Sequence, residues 1–218
     1  MSILALEFST SHRSVAALDP ATGRQGFAEQ TEGRATDAFG LIRRALDAAA
    51  MDVTDIDRVV VGLGPGSYTG IRNAIALAEG WAFARGIRMA GFSSVESLAC
   101  RLFAEGCRDR VRIVVDAQQR EFYVADWDLT GEAPIEQAPL RIVPAEKARR
   151  VPADMRLIGP DARRLDPDAA EAHPAAWMLA RMAAASPAAE APPGGLKPIY
   201  LRQPTFVKAP PPRPIPPV

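Results

Sequence analysis

A chain of 218 residues, 48% hydrophobic and 24% charged, carries enough apolar material for one large domain or two small lobes with separate cores. Its 26 acidic and 26 basic side chains cancel, which excludes holding nucleic acid by bulk charge and leaves only a local basic patch for that purpose. The opening MSILALEF has no basic leader or small-residue cleavage site, and no stretch reaches the roughly 18 apolar residues of a membrane helix, so the expectation is a cytoplasmic chain with no signal peptide and no membrane contact.

Residues 3–8 form a near-continuous apolar run with one acid, Glu7, and residues 14–18 form a second run. Asp19-Pro-Ala-Thr-Gly23 supplies turn chemistry, after which residues 25–30 alternate weakly, as an exposed third strand would. Three strands on short turns make an antiparallel meander. Phe39, Ile42, Leu46 and Ala49 then recur at helical spacing over residues 36–51, with Thr36 or Asp37 as the cap. A buried strand over 56–61 runs straight into Gly62-Leu-Gly-Pro-Gly-Ser-Tyr-Thr-Gly70. A helix of unusually small residues over 71–85 and a strand over 88–92 follow. Ser93-Ser94 opens a further helix, with Glu96 placed for a capping interaction and Gly106 as its end.

The order β-β-β-α-β-α-β-α belongs to an α/β sheet with an antiparallel edge. Residues 111–115 and 121–127 restart a strand–turn–strand pattern, as if the plan were repeated in shorter form. We therefore expect an N-terminal lobe over 1–106, a C-terminal lobe over 107–208 and a tail over 209–218, where six of the residues are proline. Residues 140–143 and 155–158 are candidate strands, 175–185 an alanine-rich helix and 187–195 a loop.

The segment from Gly62 to Gly70 is the most informative. Gly64, Gly66 and Gly70 allow positive φ or close backbone approach, and a loop leading from a strand into a helix aims N–H groups at one spot. It is not a Walker A loop: no Gly-Lys-Ser/Thr ending is present, and no lysine precedes Lys147. By spacing alone, a phosphate cradle including Ser67 and Tyr68 and a purely structural turn fit equally. Ser9 and Thr10 place hydroxyls in the first hairpin, where a phosphate or an ordinary β-turn can be accommodated. His12 and His173, the two histidines, lie far apart and outside any His-x-x-x-His pair, so no metal site is expected. Cys100 and Cys107 are expected to be reduced thiols, and neither has a histidine near it in sequence. Asp116 ends a strand, where capping the next turn is a commoner role than holding Mg²⁺ or acting as a base. Along the helix over 71–85, Ala74, Ala78 and Ala82 stand one turn apart beside Arg72, Leu77 and Trp81. With Phe39 and Ile42 they could form a partner face; core packing is the competing use of small residues.

Gly64-Pro-Gly-Ser-Tyr-Thr-Gly-Ile-Arg72 resembles the G-P-G-S-[FY]-T-G-[LIV]-R signature of the TsaB (YeaZ) family. Ala76-Leu-Ala-Glu-Gly80, Ile3-Leu-Ala-Leu-Glu-Phe-Ser-Thr10, Val115-Asp-Ala-Gln-Gln-Arg-Glu-Phe-Tyr123 and Lys197-Pro-Ile-Tyr-Leu-Arg202 resemble further family segments, in order. The resemblance implies a two-lobed actin/Hsp70/sugar-kinase-like (ASKHA) fold whose second lobe is degenerate. It also implies a non-catalytic scaffold that pairs, through its first two helices, with a metal-bearing paralogue, TsaD. That paralogue transfers threonylcarbamoyl to N6 of the tRNA adenosine next to the anticodon (t6A), and an ATPase, TsaE, completes the assembly. On this reading the chain needs no cofactor of its own and reaches tRNA through the complex, the shared interface leaves room for ATP or ADP, and the isolated chain is free to pair with itself. The alternative is a self-sufficient ATPase or kinase of the same fold. Two departures stand out: Glu7-Phe8 replaces the family's Asp-Thr, and Ala35-Thr-Asp-Ala-Phe39 replaces an H-[ST]-x-x-L pattern. Residues 128–195 carry no family motif.

Overall fold

In the computed structural model, which describes residues 1–33, 35–186, 191 and 195–201, the apolar opening forms β1 (Ser2–Glu7), buried along its whole length. A strand covered on both faces needs apolar side chains at every position rather than at alternate ones. It pairs antiparallel with β2 (Arg13–Asp19), which pairs antiparallel with β3 (Arg24–Gln30). On its other side β1 runs parallel to β4 (Ile56–Gly62), and β4 runs parallel to β5 (Arg88–Phe92). The sheet order is β3-β2-β1-β4-β5.

The helices α1 (Ala38–Ala48) and α2 (Tyr68–Arg85) cover one face of this sheet. Asp37 caps α1 by accepting the Gly40 N–H at 3.0 Å, and Gly86 ends α2 in the left-handed conformation, φ +66°. After β5 comes α3 (Ser94–Ala104), capped by Ser93.

The second sheet is built from β6 (Arg110–Asp116), β7 (Glu121–Asp128), β8 (Ile135–Pro144) and β9 (Met155–Ile158), in the order β8-β7-β6-β9. It repeats the first four positions of the other sheet, with the same antiparallel meander and a parallel β6–β9 pair. Where the first lobe has the eleven-residue α1, the second has only the five-residue α4 (Ala145–Arg149). Among the described residues no strand matches β5. The second lobe is thus a shortened copy of the first.

The split expected at Gly106 needs correction as a division of packing. Val95, Leu98 and Ala99 of α3 bury against β6, β7 and β9, so α3 belongs to the second core. Conversely α5 (Ala176–Ala185) buries Ala176, Leu179, Ala180 and Ala183 against the inner face of the first sheet. Each lobe lends the other a helix, and the apolar face of each is buried there against the other lobe's sheet. Arg58 of β4, fully buried, anchors α5 there: its guanidinium donates to the carbonyls of Ala183 (3.0 Å) and Ser186 (3.3 Å), which lack intrahelical partners at the helix end. The proline-rich tail and Arg202 lie outside the described residues, as does most of the loop expected over 187–195.

Candidate functional site

Because β1 and β4 are parallel, the turns after both strands emerge at the same edge of the sheet and meet. The Ser67 N–H donates to the Ser9 carbonyl at 2.7 Å. A Cβ on Gly66, whose φ is +149°, would lie 2.1 Å from that same carbonyl oxygen, and one on Gly70 would lie 2.0 Å from the Phe8 carbonyl. These glycines let the signature loop and the first hairpin touch backbone to backbone. Gly70 sits within the first turn of α2, so its role is close approach alone. The N–H groups of Gly64, Ser67, Gly70 and Ile71 are all spent inside the protein, on Ser94 Oγ, the Ser9 carbonyl, Ser67 Oγ and the Ser67 carbonyl. These four N–H groups are therefore not available to a phosphate.

Glu7 explains the departure at the first hairpin. Its carboxylate accepts the Ser9 N–H and the Ser94 hydroxyl, both at 2.8 Å, and Ser94 in turn accepts the Gly64 N–H at 3.0 Å. The acid is a strut between the hairpin, the signature loop and the start of α3. Phe8 beside it is fully buried in the first core. Burial pushes the Glu7 carboxyl above the ordinary carboxylate range, against the opposing bonds from Ser9 and Ser94. Between that ordinary range and the raised value the folded state holds more protons than the unfolded one. The Glu7 contribution therefore falls as pH rises through this window. Glu7→Gln cannot ionise, so its melting temperature should gain on the parent's as pH rises across the window. A difference independent of pH would show that the carboxyl is not held up.

A cleft of about 530 Å³ opens between the two sheets. Of the residues predicted for a phosphate site, Ser9, Thr10, Gly66, Ser67 and Tyr68 line it, and Gly64 and Gly70 do not. The opposite wall carries Asp116, Gln118 and Asp161. Asp116 caps its turn, accepting the Gln118 N–H at 3.0 Å, and pairs with Arg164; its own N–H donates to Asp161 Oδ2 at 2.9 Å. Gln118, Gln119 and Arg120 all hold positive φ in this turn, at +65°, +55° and +61°. That conformation is costly for residues with a Cβ and concentrates at functional clefts. Tyr200 closes the cleft, stacked on Tyr68 with ring centroids 5.4 Å apart, while the Arg72 guanidinium lies 4.8 Å above the Tyr68 ring. The Ile199 N–H donates to the Leu63 carbonyl at 2.9 Å, so the closing segment runs alongside the signature loop. Four motifs scattered over the sequence thus meet in one place.

The two histidines, far apart in sequence and expected to be unrelated, meet in three dimensions. His12, in the first hairpin, and His173, just before α5, stack with centroids 3.6 Å apart and planes within 4°. No spacing signal could have paired residues so distant in the chain.

The expected partner face also needs correction. Ala74 and Ala78 are fully buried against the first sheet, and Ile42 is buried beside them, so none of the three can meet a partner. The small residues on that side of α2 bring the helix axis close to β4. Ala82 is half-buried, and Leu77 and Trp81 are partly spent on the core. The outward side of α2 instead presents Asn73, Ala76, Gly80, Phe83 and Ala84 at helical spacing. Phe83 is 95% exposed and Phe39 of α1 is 71% exposed. A groove of about 410 Å³ between the two helices is lined by Phe39, Asn73, Ala76 and Leu77.

Two lobes with the same strand order, exchanging helices across a cleft, define a protein of the actin/Hsp70/sugar-kinase-like class. A family model described as TsaD, tRNA N6-adenosine threonylcarbamoyltransferase, matches residues 35–144, half of the chain, and the chain belongs to this family, on its TsaB/YeaZ branch. The Escherichia coli (strain K12) tRNA threonylcarbamoyladenosine biosynthesis protein TsaB is 29% identical over 127 residues, 58% of this chain and 55% of that relative. The chain thus spans about half the length of that curated relative. A Pseudomonas aeruginosa crystal structure, of an uncharacterized protein with similarity to peptidase YEAZ, is similar over 92% of this chain and 99% of its own, with a TM-score of 0.78 and 27% identity. A second structure titled YeaZ from Pseudomonas aeruginosa gives 0.73 at the same identity and coverage. No helix among the described residues is long and apolar enough to cross a membrane.

Proposed function

We propose that this chain is a partner subunit: it docks a TsaD-like paralogue through the outer side of α1 and α2 and supports formation of threonylcarbamoyladenosine in tRNA without catalysing the transfer itself. The observation that carries this reading is the solvent-facing apolar stripe of α2 beside Phe39. A fully exposed phenylalanine on a rigid helix forgoes about 2 kcal/mol that burial would supply, and contiguous patches of this kind mark interaction surfaces. Family membership and the TsaB name of the Escherichia coli relative support the choice of partner. A TsaE-like ATPase, ATP or ADP at the shared interface, and tRNA reached through the complex belong to the same reading, as does a cytoplasmic setting. Without its partner, the chain would bury the same face in a homodimer.

The kinase or ATPase alternative needs acids free to hold Mg²⁺ near a phosphate. Glu7 is enclosed and bonded to Ser9 and Ser94, and Asp116 is taken up by Arg164 and Gln118, which argues for the partner role. Co-expression with the TsaD-like paralogue of the same organism tests the reading. A stable complex on size exclusion is expected; two separately eluting proteins would refute it.

A further inference from the structure

We propose that His12, Glu171 and His173 form a site for a divalent transition-metal ion, with zinc the best match, at the rim of the inter-lobe cleft. Each residue offers one ligand atom, and these atoms lie within 4.8 Å of one another. Two imidazoles and one carboxylate are a recurrent zinc set, with bonds of about 2.0–2.2 Å that put ligand atoms roughly 3.5 Å apart. One edge already fits, since His173 Nε2 lies 3.0 Å from Glu171 Oε1. The rest closes by about 1 Å once His12, which is half-exposed, rotates out of the stack so that its lone pair converges with the others.

The surroundings of His173 are those of a metal ligand. Its ring is buried, and its other nitrogen, Nδ1, lies 3.2 Å from Thr10 Oγ1. His173 Nε2–H can donate to the Glu171 carboxylate at 3.0 Å; an ion bound at Nε2 takes the place of that proton, leaving the ring proton on Nδ1 to be donated to Thr10, whose hydroxyl donates onward to the His12 carbonyl at 3.2 Å. A ligating histidine ordinarily donates its second N–H to such a partner, which fixes the ring's orientation. Glu171 supplies the negative charge, and Arg163 sits 3.7 Å from its other oxygen.

A bound ion would clasp the first hairpin to the segment that leads into α5, joining elements of opposite ends of the chain. Three protein ligands leave a fourth position, which water or an anionic group entering the cleft would fill. This site is independent of the partner face on α1 and α2.

Isothermal titration of untagged, chelator-treated protein with ZnCl2 tests the proposal. One equivalent should bind, and the Cys100→Ser/Cys107→Ser chain should give the same isotherm. His12→Gln and Glu171→Gln, both at positions open to solvent, should each weaken binding at least about tenfold. Because these are the only histidines in the sequence, the imidazole ¹⁵N spectrum reports on this site alone, and both rings should shift together on adding zinc. MgCl2 should do neither. No saturable one-to-one binding, or uptake of zinc that survives His12→Gln unchanged, would overturn the proposal and mark any uptake as adventitious.

Discussion

Replacing Phe83 by arginine is expected to detach the chain from the proposed TsaD-like partner while leaving its own fold intact. The side chain is 95% exposed, so the monomer loses no packing, and surface substitutions of this kind move stability by about 0.5 kcal/mol, or roughly 1–2 °C in melting temperature. At the centre of an interface the same change removes an aromatic anchor and forces an unpaired charge out of water. Such losses run to about 2–4 kcal/mol, roughly 30- to 1000-fold in affinity. Phe39→Arg should act in the same direction, and the two together should leave no detectable complex. Ala78→Arg, one turn away on the opposite side of α2, supplies the contrast: it places a charge in the first core and should unfold the protein. Calorimetry of the isolated variants, paired with surface-based binding measurements, separates the two fates. If Phe83→Arg binds as tightly as the parent, the docking face lies elsewhere.

The second large effect concerns the contact between the signature loop and the first hairpin. In an ordinary helix, glycine to alanine stabilises by about 1 kcal/mol. Gly80→Ala should follow that rule, because nothing lies within 4 Å of the added Cβ. Gly70→Ala should break it, since its Cβ would meet the Phe8 carbonyl oxygen at 2.0 Å. Gly66→Val combines a similar collision at Ser9 with an unfavourable dihedral, and a loss of about 3 kcal/mol or more is expected. Denaturant unfolding of the three variants checks the ordering. Equal stability of Gly70→Ala and Gly80→Ala would show that loop and hairpin are free to move apart.

Much of the first lobe was legible because its strands are buried on both faces and its helices carry explicit caps. The runs around Leu4 and Val60 read as strands without alternation, and Asp37, Ser93 and Gly106 marked helix ends that local chemistry alone decides. The second lobe was visible in part: residues 155–158 read as a strand and form β9, whereas β8, exposed along much of its length, lacks the apolar density that gives a strand away and was read only over 140–143. Misreading the alanine row of α2 has a physical cause. The helix is apolar or small nearly all round, so periodicity cannot tell the side facing β4 from the side facing water. The cleft was half legible. Its loop residues follow from strand-to-helix geometry, but the meetings of Tyr68 with Tyr200 and of His12 with His173 span most of the chain, and only tertiary structure sets them.

The central claim, that this chain enables a transfer it does not catalyse, is tested most directly by reconstituting tRNA threonylcarbamoylation. The assay combines the TsaD-like paralogue, a TsaE-like ATPase, an activated threonylcarbamoyl donor and unmodified tRNA, with this chain present, omitted, or replaced by Phe83→Arg. Modified tRNA should accumulate only with the parent chain present, and the chain alone should modify none. Modification by the chain on its own, or equal turnover when it is omitted, would contradict the account.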